Sequence, residues 1–167
     1  MHKKQSVFGL VFSEDRSQVL LIKRRDIPVW VLPGGGVNSD ETPEDAVVRE
    51  MKEETGCDVG IIRKYATYLP VNSMTTLTYG YECALKENTF ALGDETLGIA
   101  FFPLNDLPKL PPPYRGWIED GIAVSEKMIE KKIEGVTYFI LLKLLLAHPI
   151  LVSRYLLTKV GIHLNAK

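Results

Sequence analysis

The fold of this chain is decided by residues 35–57, which read GGVNSDETPEDAVVREMKEETGC. Thr42 is a favourable N-cap with a proline directly after it, and Gly56 is a fitting C-terminal stop. Asp45 follows Thr42 by three residues, so the pair can form an approximate capping box. These signals predict a helix over residues 43–55.

Three glutamates of this helix share one face. Glu50, Glu53 and Glu54 stand at i, i+3 and i+4, a spacing that puts their side chains together. Crowded carboxylates repel one another unless something neutralises them, and a hard cation such as Mg²⁺ or Mn²⁺ prefers oxygen ligands. The spacing therefore predicts a metal site on the helix, and the alternative is a solvated acidic face.

The charge distribution agrees with metal capture. Residues 40–58 carry eight acidic and two basic side chains, a net charge of −6, whereas the chain of 167 residues is only −1 and its remainder is +5. An acidic cluster in a mildly basic chain suits a metal beside an anionic substrate. The small overall charge gives no reason to expect binding to nucleic acid or to a membrane.

Glycines precede the helix and extend the motif. Residues 30–36 read WVLPGGG, which predicts a short apolar strand and then a loop of three glycines that allow close approach of the backbone to a ligand. The glycines and the acidic helix together resemble the Nudix hydrolase family. The conserved motif of that family, the Nudix box, is G-x5-E-x7-R-E-U-x-E-E-x-G-U, in which U is an apolar residue. The fixed positions of the box are all present: Gly35, Glu41, Arg49, Glu50, Glu53, Glu54 and Gly56. Cys57 departs slightly at the last apolar position, and the likeness covers roughly the first 110 residues.

The resemblance implies a fold and an activity. The fold would be of the α/β class, a Nudix-type α/β/α sandwich with a mixed sheet. The activity would be hydrolysis of a nucleoside diphosphate linked to another group, with Mg²⁺ or Mn²⁺. The alternative is a catalytically silent nucleotide-binding sensor on the same fold. Such sensors usually lose box glutamates, and here all are present.

The resemblance also assigns roles to residues of the box. Glu50, Glu53 and Glu54 match the family's metal ligands, and which of them doubles as general base stays open. Arg49 and Glu41 are expected to support the site. Because Arg49 points about 100° away from Glu50, we expect it to orient Glu41 or Glu53.

Further candidates lie around the box. The main-chain carbonyl of Gly34 or Gly35 could add an oxygen ligand, and the backbone of Gly35 and Gly36 could contact substrate. Glu95 matches a downstream glutamate that some members of the family use, although an exposed loop acid is an equal alternative.

Cationic and aromatic side chains could bind a nucleotide. Arg24 and Arg25 precede the glycines and could meet substrate phosphate, but a solvated strand end is the commoner case. Trp30, Tyr68 and Tyr81 could stack on a base, but aromatic residues in strands are more often part of the core.

The remaining pattern predicts a strand-rich domain and a helical tail. The predicted strands are Ser6–Phe12, Gln18–Arg24, Val29–Leu32, Val59–Leu69, Leu77–Leu85 and Ile99–Phe102. We predict a Nudix domain over residues 1–115 and an apolar helical extension over residues 116–167.

The extension is apolar at residues 137–146 and 148–157, but Lys143 and Arg154 interrupt it. A membrane span is not predicted, because no apolar run reaches about 18 residues. The helices either pack on the domain or form a homodimer interface, and both remain open. Cys57 and Cys83 lack metal-ligand spacing and no signal peptide is evident, so we expect a cytoplasmic protein.

Substrate identity stays open. The proline typical of the ADP-ribose subgroup, some 15 residues after the box, is absent, because Pro70 comes too early. The upstream coenzyme A motif is also absent, and Tyr79 comes late for the dinucleoside-polyphosphate subgroup. We therefore expect a nucleotide-type small molecule without specifying it further.

Overall fold

The computed structural model describes residues 4–87, 89–123 and 127–159. Its strands are β1 (Gln5–Leu10), β2 (Gln18–Arg24), β3 (Trp30–Val31), β4 (Gly34–Gly36), β5 (Val59–Leu69), β6 (Leu77–Leu85), β7 (Thr96–Pro103) and β8 (Ile129–Lys132). Its helices are α1 (Pro43–Thr55), α2 (Tyr114–Ile122), α3 (Tyr138–Ala147) and α4 (Pro149–Lys159).

The described strands form two sheets. One has the order β4-β1-β6-β5-β8 and is mixed, because β1 runs parallel to β6 and β5 runs parallel to β8. The other has the order β3-β2-β7 and is antiparallel. Helix α1 packs against β1 and α2 packs against β5. The predicted α/β class with a mixed sheet is thus confirmed.

Alternation along β1 separates two parts of the core. Val7 and Val11 pack with the apolar side chains of α1, whereas Phe8 and Leu10 face the other side with α2. This is the two-residue period of a strand that is buried on both faces. The Phe8 ring stacks on Trp117 of α2, with centroids 4.5 Å apart. Strand β1 therefore ties both helices to one sheet.

Helix α1 has the predicted bounds and caps. Thr42 and Asp45 form a reciprocal capping box, and Gly56 closes the helix in the left-handed conformation with φ of 74°. Met51 is fully buried, and a Cβ on Gly9 of β1 would lie 2.6 Å from its sulfur. The absence of a side chain at Gly9 thus lets the acidic helix approach the sheet closely.

Strand β4 differs from the prediction, which made residues 34–36 a loop. They pair antiparallel with Ser6–Phe8 of β1. Glycine has low strand propensity, so the local sequence gives no signal, and the pairing comes from β1. Strand β7 is also longer than predicted because it pairs along almost the whole of β2.

The tail also differs from the prediction of a helical segment. Strand β8 pairs parallel with β5 at the edge of the mixed sheet. Trp117 and Ile118 of α2 lie in the core. The division of the chain at residue 115 stays a prediction. Over the residues that the structure describes, no helix is both long and apolar enough to span a membrane.

A pair of glycine substitutions tests the seating of β4. Gly34 has φ of 152°, and a Cβ there would lie 2.2 Å from the Val7 carbonyl oxygen, whereas a Cβ on Gly36 would meet nothing within 4 Å. Gly34→Ala should therefore lower the free energy of unfolding by more than about 2 kcal/mol, and Gly36→Ala by less than about 0.5 kcal/mol. Urea denaturation measures both, and equal losses would contradict the described pairing of β4 with β1.

Candidate active site

Two of the box glutamates lie against the glycine strand. The Glu50 carboxylate fills the space beside Gly35, where a Cβ would lie 2.4 Å from Oε1. The backbone N–H of Gly34 donates to Oε2 of Glu54 at 2.7 Å. Strand β4 therefore brings two carboxylates of α1 to the edge of the sheet.

Arg49 joins the acidic residues of the box. Its guanidinium forms a forked pair with Glu41, at 3.0 Å from Nε and 2.7 Å from Nη2. Its Nη1 donates to Glu50 at 2.9 Å and to Glu53 at 3.1 Å, and its Nη2 donates to the Gly36 carbonyl at 3.0 Å. The hydrogen bonds from Arg49 lower the pKa of Glu41 to about 2. Arg49 thus contacts both expected partners, and Glu50 as well.

Burial distinguishes the glutamates of the shared face. The side chain of Glu50 is 14% exposed and that of Glu53 is 57% exposed. Burial raises the pKa of Glu54 to about 8, against the Gly34 hydrogen bond and with the help of the Glu50 charge. Burial also raises the pKa of Glu50. This pair of carboxylates is costly to ionise unless a cation is close.

The loop before β7 brings Glu95 towards the site. A Cβ on Gly93 would lie 1.9 Å from the carbonyl oxygen of Glu53, so the loop passes directly over the end of α1. The Thr96 hydroxyl donates to the Glu54 carbonyl at 2.9 Å. Glu95 is exposed, and its charge contributes to the raised pKa of Glu50 and Glu54. Its placement near these carboxylates is compatible with the predicted role.

The donor set consists of oxygen atoms, which suits Mg²⁺ or Mn²⁺. Across residues 4–87, 89–123 and 127–159, no group of three His, Cys, Asp or Glu side chains is arranged to hold a metal. The contacts described above explain this, because Glu50 and Glu53 face Arg49 whereas Glu54 faces Gly34. A ligand role for the Gly34 carbonyl stays a prediction.

A cleft of about 680 Å³ opens beside the glutamates. Its lining includes Gly34 and Gly35 of β4 and Arg24 of β2. Tyr114 and Trp117 of α2 also line it. None of its described lining residues is acidic. The cleft can therefore accept an anionic molecule that has an apolar part.

The two arginines from the end of β2 have different surroundings. Arg24 forms a forked pair with Asp26, at 2.8 and 2.6 Å, and lines the cleft. Arg25 donates to the carbonyls of Asp94 at 2.8 Å and Thr96 at 3.1 Å, so it holds the loop that carries Glu95.

The aromatic candidates lie away from the cleft. Tyr68 and Tyr81 are almost fully buried in the core, and Trp30 packs on Phe102. Sequence reasoning did not identify Trp117 as a cleft residue, because it lies far from the box and no local motif marks it.

The likeness to known proteins agrees with this geometry. A sequence model of the NUDIX domain matches residues 2–121. The chain therefore belongs to the Nudix hydrolase family.

Relatives define its activity class. An ADP-ribose pyrophosphatase of Methanocaldococcus jannaschii is 35% identical over 130 residues, 72% of this chain and 73% of the relative. A Bacillus subtilis (strain 168) protein, provisionally named 8-oxo-dGTP diphosphatase, is 34% identical over 111 residues, 66% of this chain and 74% of the relative. The family match and these relatives together make the chain a Nudix pyrophosphohydrolase.

A solved structure confirms the sandwich fold. The crystal structure of an ADP-ribose pyrophosphatase from Streptococcus suis 89-1591 matches with a TM-score of 0.65 and 29% identity. The match covers 78% of this chain and 99% of that one.

The raised pKa of Glu54 predicts a pH-dependent stability in EDTA. This pKa is about 8 in the folded chain against 4.5 in the reference state, so between these values the folded state holds a proton that the unfolded state has lost. The free energy of unfolding contributed by Glu54 therefore falls as the pH rises through this window. Glu54→Gln can still accept from Gly34 and does not titrate.

The melting temperature of Glu54→Gln should thus rise by several degrees relative to the unsubstituted protein between about pH 5 and pH 8.5. Thermal denaturation in EDTA measures this difference. Glu44→Gln, at the first turn of the same helix, serves as the control. A difference that is constant with pH would contradict the described burial of Glu54.

Proposed function

We propose that this protein is a metal-dependent hydrolase that cleaves the pyrophosphate linkage of a nucleoside diphosphate joined to another group. The observation that carries the proposal is that Gly34 and Gly35 of β4 contact the Glu54 and Glu50 carboxylates and also line a cleft without acidic lining residues. An acidic centre beside such a cleft can recruit a cation and an anionic substrate together.

In this proposal Glu50, Glu53 and Glu54 hold Mg²⁺ or Mn²⁺. The bound metal supplies neutralisation of phosphate charge and an activated water. The chain itself contributes positioning, because Arg49 ties Glu41, Glu50 and Glu53 into one hydrogen-bonded group. Phosphoryl transfer depends mainly on such positioning and on charge neutralisation.

The substrate lies in the cleft beside Gly34 and Gly35, with Arg24 facing its phosphates. The Asp26 carboxylate fixes the Arg24 guanidinium by a forked pair, so the donor is held in one orientation. ADP-ribose belongs on the substrate panel because two relatives are named for it, although this chain lacks the proline of that subgroup.

The setting of the enzyme is part of the proposal. We propose a cytoplasmic enzyme without nucleic-acid or membrane partners, in which residues 1–115 form the Nudix domain. The homodimer through α3 and α4 is supported by the exposed apolar side chains Phe139, Leu146 and Ile150.

Carboxamide substitutions test the metal ligands. Glu53→Gln and Glu54→Gln should each lower kcat/KM by about two orders of magnitude or more with the fold retained, because a carboxylate ligand is lost while the shape is kept. Product release is measured on nucleoside triphosphates, nucleotide sugars, ADP-ribose and dinucleoside polyphosphates with Mg²⁺, with Mn²⁺ and with EDTA.

Glu44→Gln is the matched control and should retain activity, because Glu44 accepts from the Tyr81 hydroxyl and is not one of the carboxylates that Arg49 holds, and a carboxamide can still accept that bond. Full activity of both ligand variants would refute the metal assignment. If the unsubstituted protein hydrolyses none of the panel but binds a nucleotide, the sensor alternative holds instead.

Arg49→Lys tests the forked geometry. A lysine keeps the charge but cannot form the pair with Glu41 and also reach Glu50 and Glu53, so the carboxylates lose their alignment. We expect kcat/KM to fall by about 10- to 100-fold. Arg115→Lys, at an exposed position on α2, should leave kinetics unchanged. Wild-type kinetics in Arg49→Lys would mean that charge alone suffices.

A further inference from the structure

The C-terminal helices contribute one wall of the cleft. Ile140 of α3, His148 between the helices and Val152 of α4 all line it. Val152 is only 7% exposed, although several neighbouring side chains of α3 and α4 are open to solvent. The hairpin therefore has a buried face, and that face looks into the substrate cleft.

Polar contacts hold this hairpin over the cleft from one side. Arg154 of α4 donates from Nε to the Asp26 carbonyl at 2.6 Å and from Nη2 to the Arg25 carbonyl at 3.4 Å. Between the helices, His148 Nε2 lies 3.3 Å from Lys109 Nζ. These contacts join the hairpin to segments that are far from it in sequence.

Further contacts hold the hairpin from the opposite side. The Asn72 side-chain amide donates to the Val136 carbonyl at 2.7 Å, just before α3. The hydroxyls of Ser73 and Tyr138 are 2.9 Å apart. The hairpin is thus attached to three segments that precede it in the chain, around residues 25–26, 72–73 and 109, and each of them adjoins residues that line the cleft.

Arg154 is connected through Asp26 to Arg24, the residue that we place against the substrate phosphates. Arg154 holds the backbone of Asp26, the Asp26 side chain holds the guanidinium of Arg24, and Arg24 lines the cleft beside Gly34. A displacement of α4 would therefore open the apolar wall, whereas Arg24 would stay paired with the Asp26 side chain.

We propose that the hairpin of α3 and α4 is the roof of the substrate cleft and that Arg154 is the positioning residue that keeps it closed. The roof covers the nucleoside, the part of the substrate that does not react, and contacts it through Ile140 and Val152. This inference rests on the proposed function and extends it to substrate selection.

The roof has a kinetic signature. Contacts to a part of the substrate that does not change during the reaction bind the ground state and the transition state equally, so their loss raises KM and leaves kcat almost unchanged. A variant that merely unfolds more easily would instead lose active enzyme, with lower kcat and the same KM. The two cases can be distinguished on one substrate.

The experiment compares Arg154→Ala with Arg115→Ala, an exposed arginine on α2 outside the cleft lining. On the panel substrate with the highest kcat/KM, Arg154→Ala should raise KM by about tenfold with kcat within about twofold, and Arg115→Ala should change neither. Arg154→Lys keeps the charge but cannot donate to both the Asp26 and Arg25 carbonyls in the same way. Its KM should lie between that of the unsubstituted protein and that of Arg154→Ala.

Val152→Ala tests the roof without touching Arg154, with the exposed Leu142→Ala as its control. Val152→Ala should raise KM about threefold, and Leu142→Ala should leave it unchanged. An unchanged KM in both Arg154→Ala and Val152→Ala would overturn the roof.

Hydrogen exchange supplies a readout that does not need turnover. Saturating amounts of that same panel substrate should slow exchange in α4 of Glu53→Gln, and exchange in α4 that does not respond would count against the roof. If the unsubstituted protein hydrolyses none of the panel, the proposed function is refuted. If it turns over a substrate but KM is unchanged in Arg154→Ala and Val152→Ala, only the role of the hairpin as a roof is refuted.

Discussion

Helix α1 lies so close to β4 that Gly35 has no space for a side chain, because the Glu50 carboxylate occupies it. This approach depends on a glycine in β1 and one in the neighbouring β4, since a Cβ on Gly9 would meet Met51 and a Cβ on Gly34 would meet the backbone of β1. Close approach removes water from Glu50 and Glu54, which makes their ionised forms costly. Arg49 offsets part of that cost at Glu50, and the Gly34 N–H and Arg24 offset part of it at Glu54. The same crowding makes the site attractive to a cation.

The sequence predicted those elements of the fold whose signals are local. Helix α1 and strands β5 and β6 have the predicted bounds, because caps, turns and apolar runs mark their ends. Strand β4 has no such signal, since Gly34–Gly36 is a strand only through its pairing with β1. Strand β8 was missed for a related reason: Ile129–Lys132 is short and polar, and its position depends on β5. Pairing between distant segments decides both, and such pairing is not visible in a short window of sequence.

The candidate site divides in the same way. The spacing of Glu50, Glu53 and Glu54 predicted that they share one face of α1. The structure adds that Glu50 and Glu53 accept from Arg49 and that Glu54 accepts from Gly34 of β4. The Asp26 side chain that holds Arg24 was within reach of sequence reasoning, since the two are only two residues apart. Arg154 was not, because its partner carbonyl belongs to Asp26, 128 residues earlier. Local spacing thus predicts the reacting end of the site, whereas the cleft wall is built from contacts that only the folded chain brings together.

The lining of the cleft favours one direction of binding for the proposed substrate. At the β4 end the Arg24 guanidinium lines the cleft, and the Glu50 and Glu54 carboxylates contact Gly35 and Gly34 of the same strand without lining the cleft themselves, so a metal-neutralised pyrophosphate would suit this end. The other described lining is largely apolar around Trp117, Ile140 and Val152, which suit the flat face of a base, and its polar members include Lys109 and His148. A substrate bound the other way round would bury phosphate charge against apolar groups and leave its base beside carboxylates, and both placements are unfavourable. In the proposed function, desolvation therefore sets the direction of binding, with the box beside the pyrophosphate and the apolar walls around the group attached to it.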